Sequence, residues 1–600
     1  MPPSPLPDIS SNRRLALAAL TVTLVIAVML LWRDNDAAKA FGDTDDAMRL
    51  VMVRDLLHGR GWYDQWIGRL QPPLGTYMHW SRLLDGALAG CIWLLERVMS
   101  PASAELATRI LWPLAWIFPA AVCGLVIARA MGGNVAVFVC AILLATNIQL
   151  YVQFRPGRID HHNIQITMSL IAAACSLARR RRALWAAVGG VAAALGLAIG
   201  IEALAFQALI GGCYGYRLAR DPREAGSARA YGLALALGAV FFYGIQTPPW
   251  RWSMSFCDAL GWNLTAALAF AGLGLAAIAT WGARLAIKGR LGLLLLLGGG
   301  TAVVFLGLDP QCLHGPFGAV DPRIRPFWFD KVQELRNWGQ LLAHDRDDAV
   351  RDMTMAALAL AAALFLLLKE GLKARPVVLL IAALVVVATI AAAHAYRMQD
   401  YLYWFGMPTL ATAVGLVIAR GLSLLASLPA RTASLASVLI TLVSTFVLSP
   451  ICLALVVLGL INMSPKTATA KPPKADPCFD RAPYAPLAAL PPGIVLAEID
   501  LGPFVLAESR DSVLAAPYHR MSWGILAAHE ALNANPADAE ARVRALNVTY
   551  ILECPSNPLR VGPGSFEAEL RAGVTPTWLV KLSASSQIMQ IYRVAPATGR

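Results

Sequence analysis

The sequence predicts an α-helical polytopic membrane protein with about 13 transmembrane helices and a small C-terminal α/β extracytoplasmic domain. Three observations predict it. The chain is 57% hydrophobic and only 15% charged over 600 residues, with a mean hydropathy of +0.56, whereas a soluble protein of this size needs far more charge to cover its surface. Apolar stretches long enough to cross a bilayer recur from residue 15 to residue 461,. The composition then changes across "MSPKTATAKPPKADP" (463–477), a Pro/Lys-rich linker,.

The 51 Lys and Arg against 38 Asp and Glu leave a net charge of +13. In a membrane protein such an excess gathers in cytoplasmic loops, so membrane lipid is the implied partner and nucleic acid is not. The ten cysteines form no CxxC pair and no zinc spacing, which excludes a metal-thiolate site.

Arg13 and Arg14 precede the first apolar run, residues 15–32, and no small-residue cleavage site follows it. The run reads as an uncleaved anchor with the N-terminus in the cytoplasm. Further spans are expected at about 106–128, 134–150, 163–178, 184–200, 202–216, 230–246, 259–282, 291–308, 352–368, 376–393, 402–419 and 434–461. The segment "LLDGALAGCIWLLERVM" (83–99) decides the topology. As a span it would place "ARRRR" (178–182) outside. As an amphipathic helix on the outer surface, suited by Asp85, Glu96 and Arg97, it leaves that cluster inside,. The same choice keeps Arg129, Arg217, Arg220, Arg223, Arg229, Arg284, Lys288, Arg290, Lys369, Lys373 and Arg375 inside.

The resulting organisation is a membrane domain at 1–462 with outer loops 33–105, 151–162, 309–351 and 394–401, the linker, and an outer α/β domain at 478–600. Strand-like "GIVLAEI" (493–499) and "VTYILEC" (548–554) flank a helical "WGILAAHEAL" (523–532) in that last domain. Cys478 and Cys554 both lie there, on the oxidising side, and are candidates for a disulfide,. Cys257 and Cys312 have no motif around them, and ordinary packing is expected.

The apolar segments hold few ionisable groups, Glu202 near the outer surface being the main one, and that scarcity argues against ion-coupled transport. Polar residues collect in the outer loops instead. The first holds "FGDTDDAMR" (41–49) and "QPPLGTYMHW" (71–80), the second "RPGRIDHH" (155–162), the third "KVQE" (331–334), and the last "HAYRMQDY" (394–401). Oxygen-rich sites with imidazole suit Mg²⁺ or Mn²⁺, and neighbouring arginines suit phosphate. The candidate metal ligands are Asp43, Asp45, Asp160, His161 and His162. The candidate catalytic residues are Asp43, Asp45, Asp46 and Glu334, and the candidate substrate-binding residues Arg49, Arg155, Arg158, Arg397 and His79. Each has a plainer reading. Asp43 or Thr44 caps a helix whose dipole favours Asp46; Asp160 to His162 form a polar turn; Arg155 and Arg158 meet lipid headgroups or pair locally. Glu334 is satisfied by Lys331 or Arg336.

The order of these motifs on one membrane face resembles the GT-C glycosyltransferases, most of all the oligosaccharyltransferase catalytic subunits, over roughly residues 15–420. Asp43 and Arg49 match the first-loop Asp with an Arg six positions on. "DHH" (160–162) stands where that family has a "DNE"-like triplet, "KVQE" approximates "SVxE", and Arg397 matches the arginine facing the donor phosphate. "QPPLGTYMHW" is similar to the "KPPL.YW" stretch of aminoarabinose and mannosyl transferases, whose "DE" motif maps onto Asp45 and Asp46 instead. Two departures stand out: the C-terminal domain has "APYHR" (516–520) and no "WWD", and the triplet ends in His rather than Glu. The resemblance implies an inverting glycosyltransferase with a divalent cation, a polyprenyl-phosphate- or polyprenyl-diphosphate-linked sugar donor, and a glycan, lipid or protein acceptor. It implies a bacterial inner-membrane location, with the C-terminal domain in the periplasm. A glycan ligase or lipid-modifying transferase of the same fold, and a polysaccharide or lipid transporter that cleaves no bond, remain as alternatives.

Overall fold

A computed structural model describes residues 11–34, 36–318, 320–371, 375–422, 430–462 and 477–596. The linker expected at 463–477, apart from Pro477, and Lys373 lie outside the described residues.

Helix α1 (Asn12–Arg33) starts at Ser11, whose hydroxyl accepts from the Arg14 amide. It buries Leu15, Ala19, Val22, Ile26 and Leu30, an i, i+4, i+7 stripe, against α4 (Pro101–Thr146). Leu17, Leu24 and Val28 on its other side stay exposed, as a lipid-facing surface requires. Between these helices lie α2 (Thr44–Leu57), α3 (Arg82–Leu95) and a small antiparallel pair, β1 (Trp66–Ile67) with β2 (Thr76–Tyr77). At 14 residues α3 spans only about 21 Å and is not among the membrane-crossing helices. It packs on α2 and α4. Asp85, read from sequence as an interfacial charge, is instead fully buried between two arginines.

The bundle continues through α5 (His162–Ser176), α6 (Arg182–Ile199), α7 (Leu204–Arg220), α8 (Ala225–Gln246), α9 (Trp262–Trp281) and α10 (Ile287–Leu308). A short α11 (Trp338–His344) precedes α12 (Arg346–Glu370), α13 (Pro376–His394), α14 (Gln399–Leu422), α15 (Ala430–Val447) and α16 (Pro450–Asn462). Among the described residues nine helices are individually long and apolar enough to cross a membrane, or ten with one bent pair. The difference from the expected 13 has physical causes. The 46-residue α4 covers two expected spans and turns between them at Gly133, whose φ of 70° favours glycine,. Helices α5 and α7 have 15 and 17 residues, short of the roughly 20 that a span needs. The last span is bent by 46° between α15 and α16, where Pro450 lacks an amide and disfavours helix at the residue before it,.

Chain reversal brings the C-terminal ends of α1, α6, α8 and α13 and the N-terminal ends of α2, α5, α7, α9 and α14 to one end of the bundle. There the C-terminal domain docks. It contains α17 (Ala485–Ala488), α18 (Gly502–Glu508), α19 (Ser522–Leu532), α20 (Pro536–Ala545) and α21 (Phe566–Arg571). Its sheet has the order β4 (Ser512–Val513), β3 (Ile494–Ala497), β5 (Tyr550–Glu553), β7 (Gln590–Val594), β6 (Leu579–Lys581), parallel across the first three and antiparallel across the rest. Cys478 and Cys554 are bonded. So are Cys257 and Cys312, contrary to the packing expected for them: they flank the α9–α10 hairpin, which returns its two ends to the same side.

The 33–105 loop supplies much of the docking contact. Arg69 donates to the carbonyls of Leu506, Ser509 and Asp511 at 3.0–3.2 Å. Backbone bonds run from the Val513 amide to the Arg69 carbonyl and from the Gln71 amide to the Val513 carbonyl, both 2.8 Å. Phe504 packs against Phe41 and Phe479.

Candidate active site

The site begins at the N-terminus of α2. Asp43 caps the helix, one oxygen accepting from the amides of Asp45 and Asp46 at 2.9 and 3.0 Å. Its other oxygen pairs with Arg158. Asp46 is fully buried and faces the second loop. It accepts from the amides of Ile159 and Asp160 at 2.7 and 3.0 Å and from Arg158 at 3.0 Å. Arg158 also donates to Gln153 at 2.8 Å. Gly42 permits this approach, because a Cβ there would strike the Asp46 carboxylate and sit 2.8 Å from Arg158 Cδ. Asp43, Asp46 and Arg158 thus lock the two loops together.

Arg49 is also fully buried. It bonds Asp85 at 2.7 Å and Asp160 at 3.4 Å and lies 4.4 Å over the Trp80 ring. Arg82 reaches the second Asp85 oxygen at 3.2 Å. Arg155 pairs with Asp34 at 3.5 Å. Neither Arg49, Arg155, Arg158 nor Asp46 lines the cavity described next.

That cavity, of about 1280 Å³, opens between the bundle end and the C-terminal domain. Of the residues singled out from sequence, Asp43, Asp45, His79, His161, Glu334 and Arg397 line it. Asp160 and His162 lie just beneath His161. His161 Nδ1 is 2.7 Å from Asp160, and His162 Nε2 is 3.4 Å from its second oxygen. The imidazoles of His161 and His162 pack at 4.2 Å. Glu202, which sequence reasoning noted but left out of the site, joins them: Arg397 lies 2.9 Å, His162 3.3 Å and His161 3.9 Å from its carboxylate. Its signal was an acid next to an otherwise apolar run.

The electrostatics divide the carboxylates. Burial, then the like charges of Asp160, Asp43 and Glu334, push the Asp45 carboxyl well above the usual range. Burial opposes ionisation of Asp160 as well, but His161, His162 and Arg49 outweigh it and hold that group well below the range. Burial also opposes charge on His161, yet Asp160 and Glu202 raise it to about 9. Of the two partners expected for Glu334, Lys331 and Arg336, the second pairs with Asp345 at 2.7 Å, and no ion pair reaches Glu334 or Asp45 among the described residues.

Asp160, His161 and His162 offer donor atoms within 4.8 Å of one another. One Asp160 oxygen is buried with no hydrogen-bond partner. Imidazole and carboxylate donors with an unsatisfied oxygen fit a divalent cation. Cys257, Asp309 and Cys312 are equally close, but the disulfide removes both thiolates.

The C-terminal domain also lines the cavity. His519 Nε2 lies 2.6 Å from Asp258, and Arg520 donates to both Asp258 oxygens at 2.8 and 2.7 Å. The His79 ring sits 4.6 Å from that of His519. Burial, then His519 and Arg520, lowers His79 well below the usual imidazole range. Both His519 and Arg520 belong to "APYHR", the segment noted where the oligosaccharyltransferase motif is missing.

No protein-family model matches the chain, and no curated protein matches it in sequence. Solved structures do match. The oligosaccharyltransferase of Archaeoglobus fulgidus tethered with an acceptor peptide containing the NVT sequon gives a TM-score of 0.65. The same organism's AglB in complex with an inhibitory peptide and a dolichol-phosphate gives 0.62. Both are 13% identical and cover 90% of this chain and 69% of theirs. A complex of that oligosaccharyltransferase with Zn and sulfate gives 0.57 at the same identity. At this identity the likeness is one of architecture: the chain has the GT-C-type, oligosaccharyltransferase-like membrane fold.

Proposed function

We propose that the protein is a membrane glycosyltransferase that moves a sugar or glycan from a polyprenyl-phosphate or polyprenyl-diphosphate carrier to an acceptor on the extracytoplasmic face of the bacterial inner membrane, with inversion. The observation that carries this reading is that Asp45, His161, Glu202, Glu334 and Arg397 line the cavity at the bundle end, with Asp160 and His162 in contact with His161 and Glu202 behind them. The dolichol-phosphate and acceptor peptide in the neighbouring structures support a lipid-linked donor of this kind. So does the surrounding apolar bundle, which suits a polyprenyl tail.

Asp160, His161 and His162 would hold a divalent cation, Mg²⁺ or Mn²⁺, which when bound supplies positive charge to the leaving phosphate. Arg397 lines the same cavity and adds a fixed cation there, stabilising charge that grows on phosphate oxygens as the glycosidic bond breaks. Asp45 is the first-loop carboxylate with no partner to release. It lines the cavity with no ion-pair partner among the described residues, so its oxygens can accept the proton of an acceptor hydroxyl,. Asp43, Asp46 and Arg158 act as positioning residues that fix the second loop, and Arg49 orients Asp160.

The test is sugar transfer from a labelled polyprenyl donor by purified protein. Asp45→Asn, Asp160→Ala and Arg397→Ala are each expected to lower turnover by about 100-fold or more, and EDTA to abolish it. Turnover that survives all four treatments would contradict the proposal.

A further inference from the structure

The cavity lining carries a second set of metal-type donors that the proposed transfer does not use. We propose that His79, Asp258 and His519 form a second divalent-metal site, of the imidazole-rich kind suited to Zn²⁺, which clamps the C-terminal domain onto the membrane bundle.

The three donors come from three separate parts of the chain: the first outer loop, the loop between α8 and α9, and the C-terminal domain. One donor atom from each lies within 4.8 Å of the others. Two imidazoles and one carboxylate are a usual zinc donor set, leaving a fourth position for water or substrate. Donor atoms around tetrahedral zinc lie roughly 3.3 Å apart, as follows from zinc–nitrogen bonds of about 2.0–2.1 Å. The site is therefore within side-chain rotation of closure.

Two features show it is built. His79 Nδ1 is buried with no hydrogen-bond partner, an uncompensated polar atom beside a second imidazole,. Asp258 follows Cys257, whose disulfide to Cys312 anchors that loop to the far end of the α9–α10 hairpin. Arg520 is the feature that opposes a dication. It occupies one lone-pair direction on each Asp258 oxygen, and a carboxylate has about four. The hydrogen bond from His519 takes a third at 2.6 Å, and a metal ion between Nε2 and Oδ2 would replace it. Because each ligand sits on a different element, the ion would tie the cavity roof to its floor, a stabilisation present only in the docked state.

The experiment is Zn²⁺ binding by the full-length protein in detergent after EDTA dialysis, read as bound metal per chain and as the rise in Tm. Two equivalents are expected for the wild type, one for His79→Ala, His79→Gln or His519→Ala, and two for Arg520→Gln. His79→Gln keeps a polar side chain of similar reach, so it reports on ligation if His79→Ala fails to fold. Asp160→Ala separates the clusters. One equivalent that Asp160→Ala retains and His79→Gln loses supports this site even if the other binds no metal. One equivalent that Asp160→Ala abolishes, no binding at all, or a stoichiometry unchanged in His79→Gln and His519→Ala overturns the proposal.

Discussion

Asp45 and Asp46 are neighbours in sequence with opposite surroundings. Asp46 accepts three hydrogen bonds from the second loop, so Asp46→Ala leaves two buried amides unpaired and removes one of the two carboxylates that hold Arg158. The expected loss is about 3 kcal/mol of stability, measurable as reduced thermal stability of the purified protein. Asp45 has like charges around it and no cation of its own. Asp45→Asn should therefore leave stability unchanged or raise it by about 1 kcal/mol while abolishing transfer, a combination that a merely structural aspartate would not give. Arg49 and Asp85 form a fully buried pair at 2.7 Å, and Asp85→Ala should cost about 3–5 kcal/mol by leaving Arg49 with Asp160 alone and taking the carboxylate from Arg82,. The sequence places three aspartates in "DTDD" but does not rank them, because the ranking depends on Arg158, 112 positions from Asp46 and 115 from Asp43. The helix-cap reading of Asp43 describes its geometry.

At the scale of elements, apolar periodicity and the parity of basic loops placed the outer loops together, and the bundle end gathers them. What periodicity could not resolve were α5 and α7. Their sequences are apolar like spans, yet the helices are short, and in α5 nearly every residue is buried by neighbouring helices. The disulfide between Cys257 and Cys312 was equally hidden, since it depends on the α9–α10 hairpin closing rather than on a local motif. The docking of the C-terminal domain is a tertiary fact of the same kind. It makes the first loop a shared element, with Arg69 as its main tie. Arg69→Ala should weaken the docked state by about 2 kcal/mol and speed amide exchange in α18 and β4, leaving exchange in α4 and α14 unchanged. Equal protection of α18 and β4 in both proteins would show that the tie carries nothing.

For the whole molecule, two carboxyls of the C-terminal domain add a pH dependence to stability. Burial, then the charge of Asp500, raises Glu498 to about 7, and burial, then the charge of Glu553, raises Glu567 to about 9. Glu553 and Glu567 share Arg571 at 3.1 and 3.2 Å. Groups with raised folded pKa values bind more protons folded than unfolded. Their contribution is complete below the ordinary 4.5 and is lost as pH rises through 7 and then 9. Tm should fall between pH 5.5 and 8.5, and Glu567→Gln should flatten that fall; parallel curves would contradict this origin. The central claim is that the cavity breaks a glycosidic bond to a lipid carrier rather than moving the lipid. The most direct measurement follows a polyprenyl-phosphate sugar, labelled in both the sugar and the lipid, in liposomes containing the purified protein and a crude envelope acceptor. With wild type, sugar label is expected to leave the lipid and free polyprenyl phosphate to accumulate, and neither is expected with Asp160→Ala. Intact sugar-lipid appearing across the bilayer, with no free polyprenyl phosphate, would contradict it.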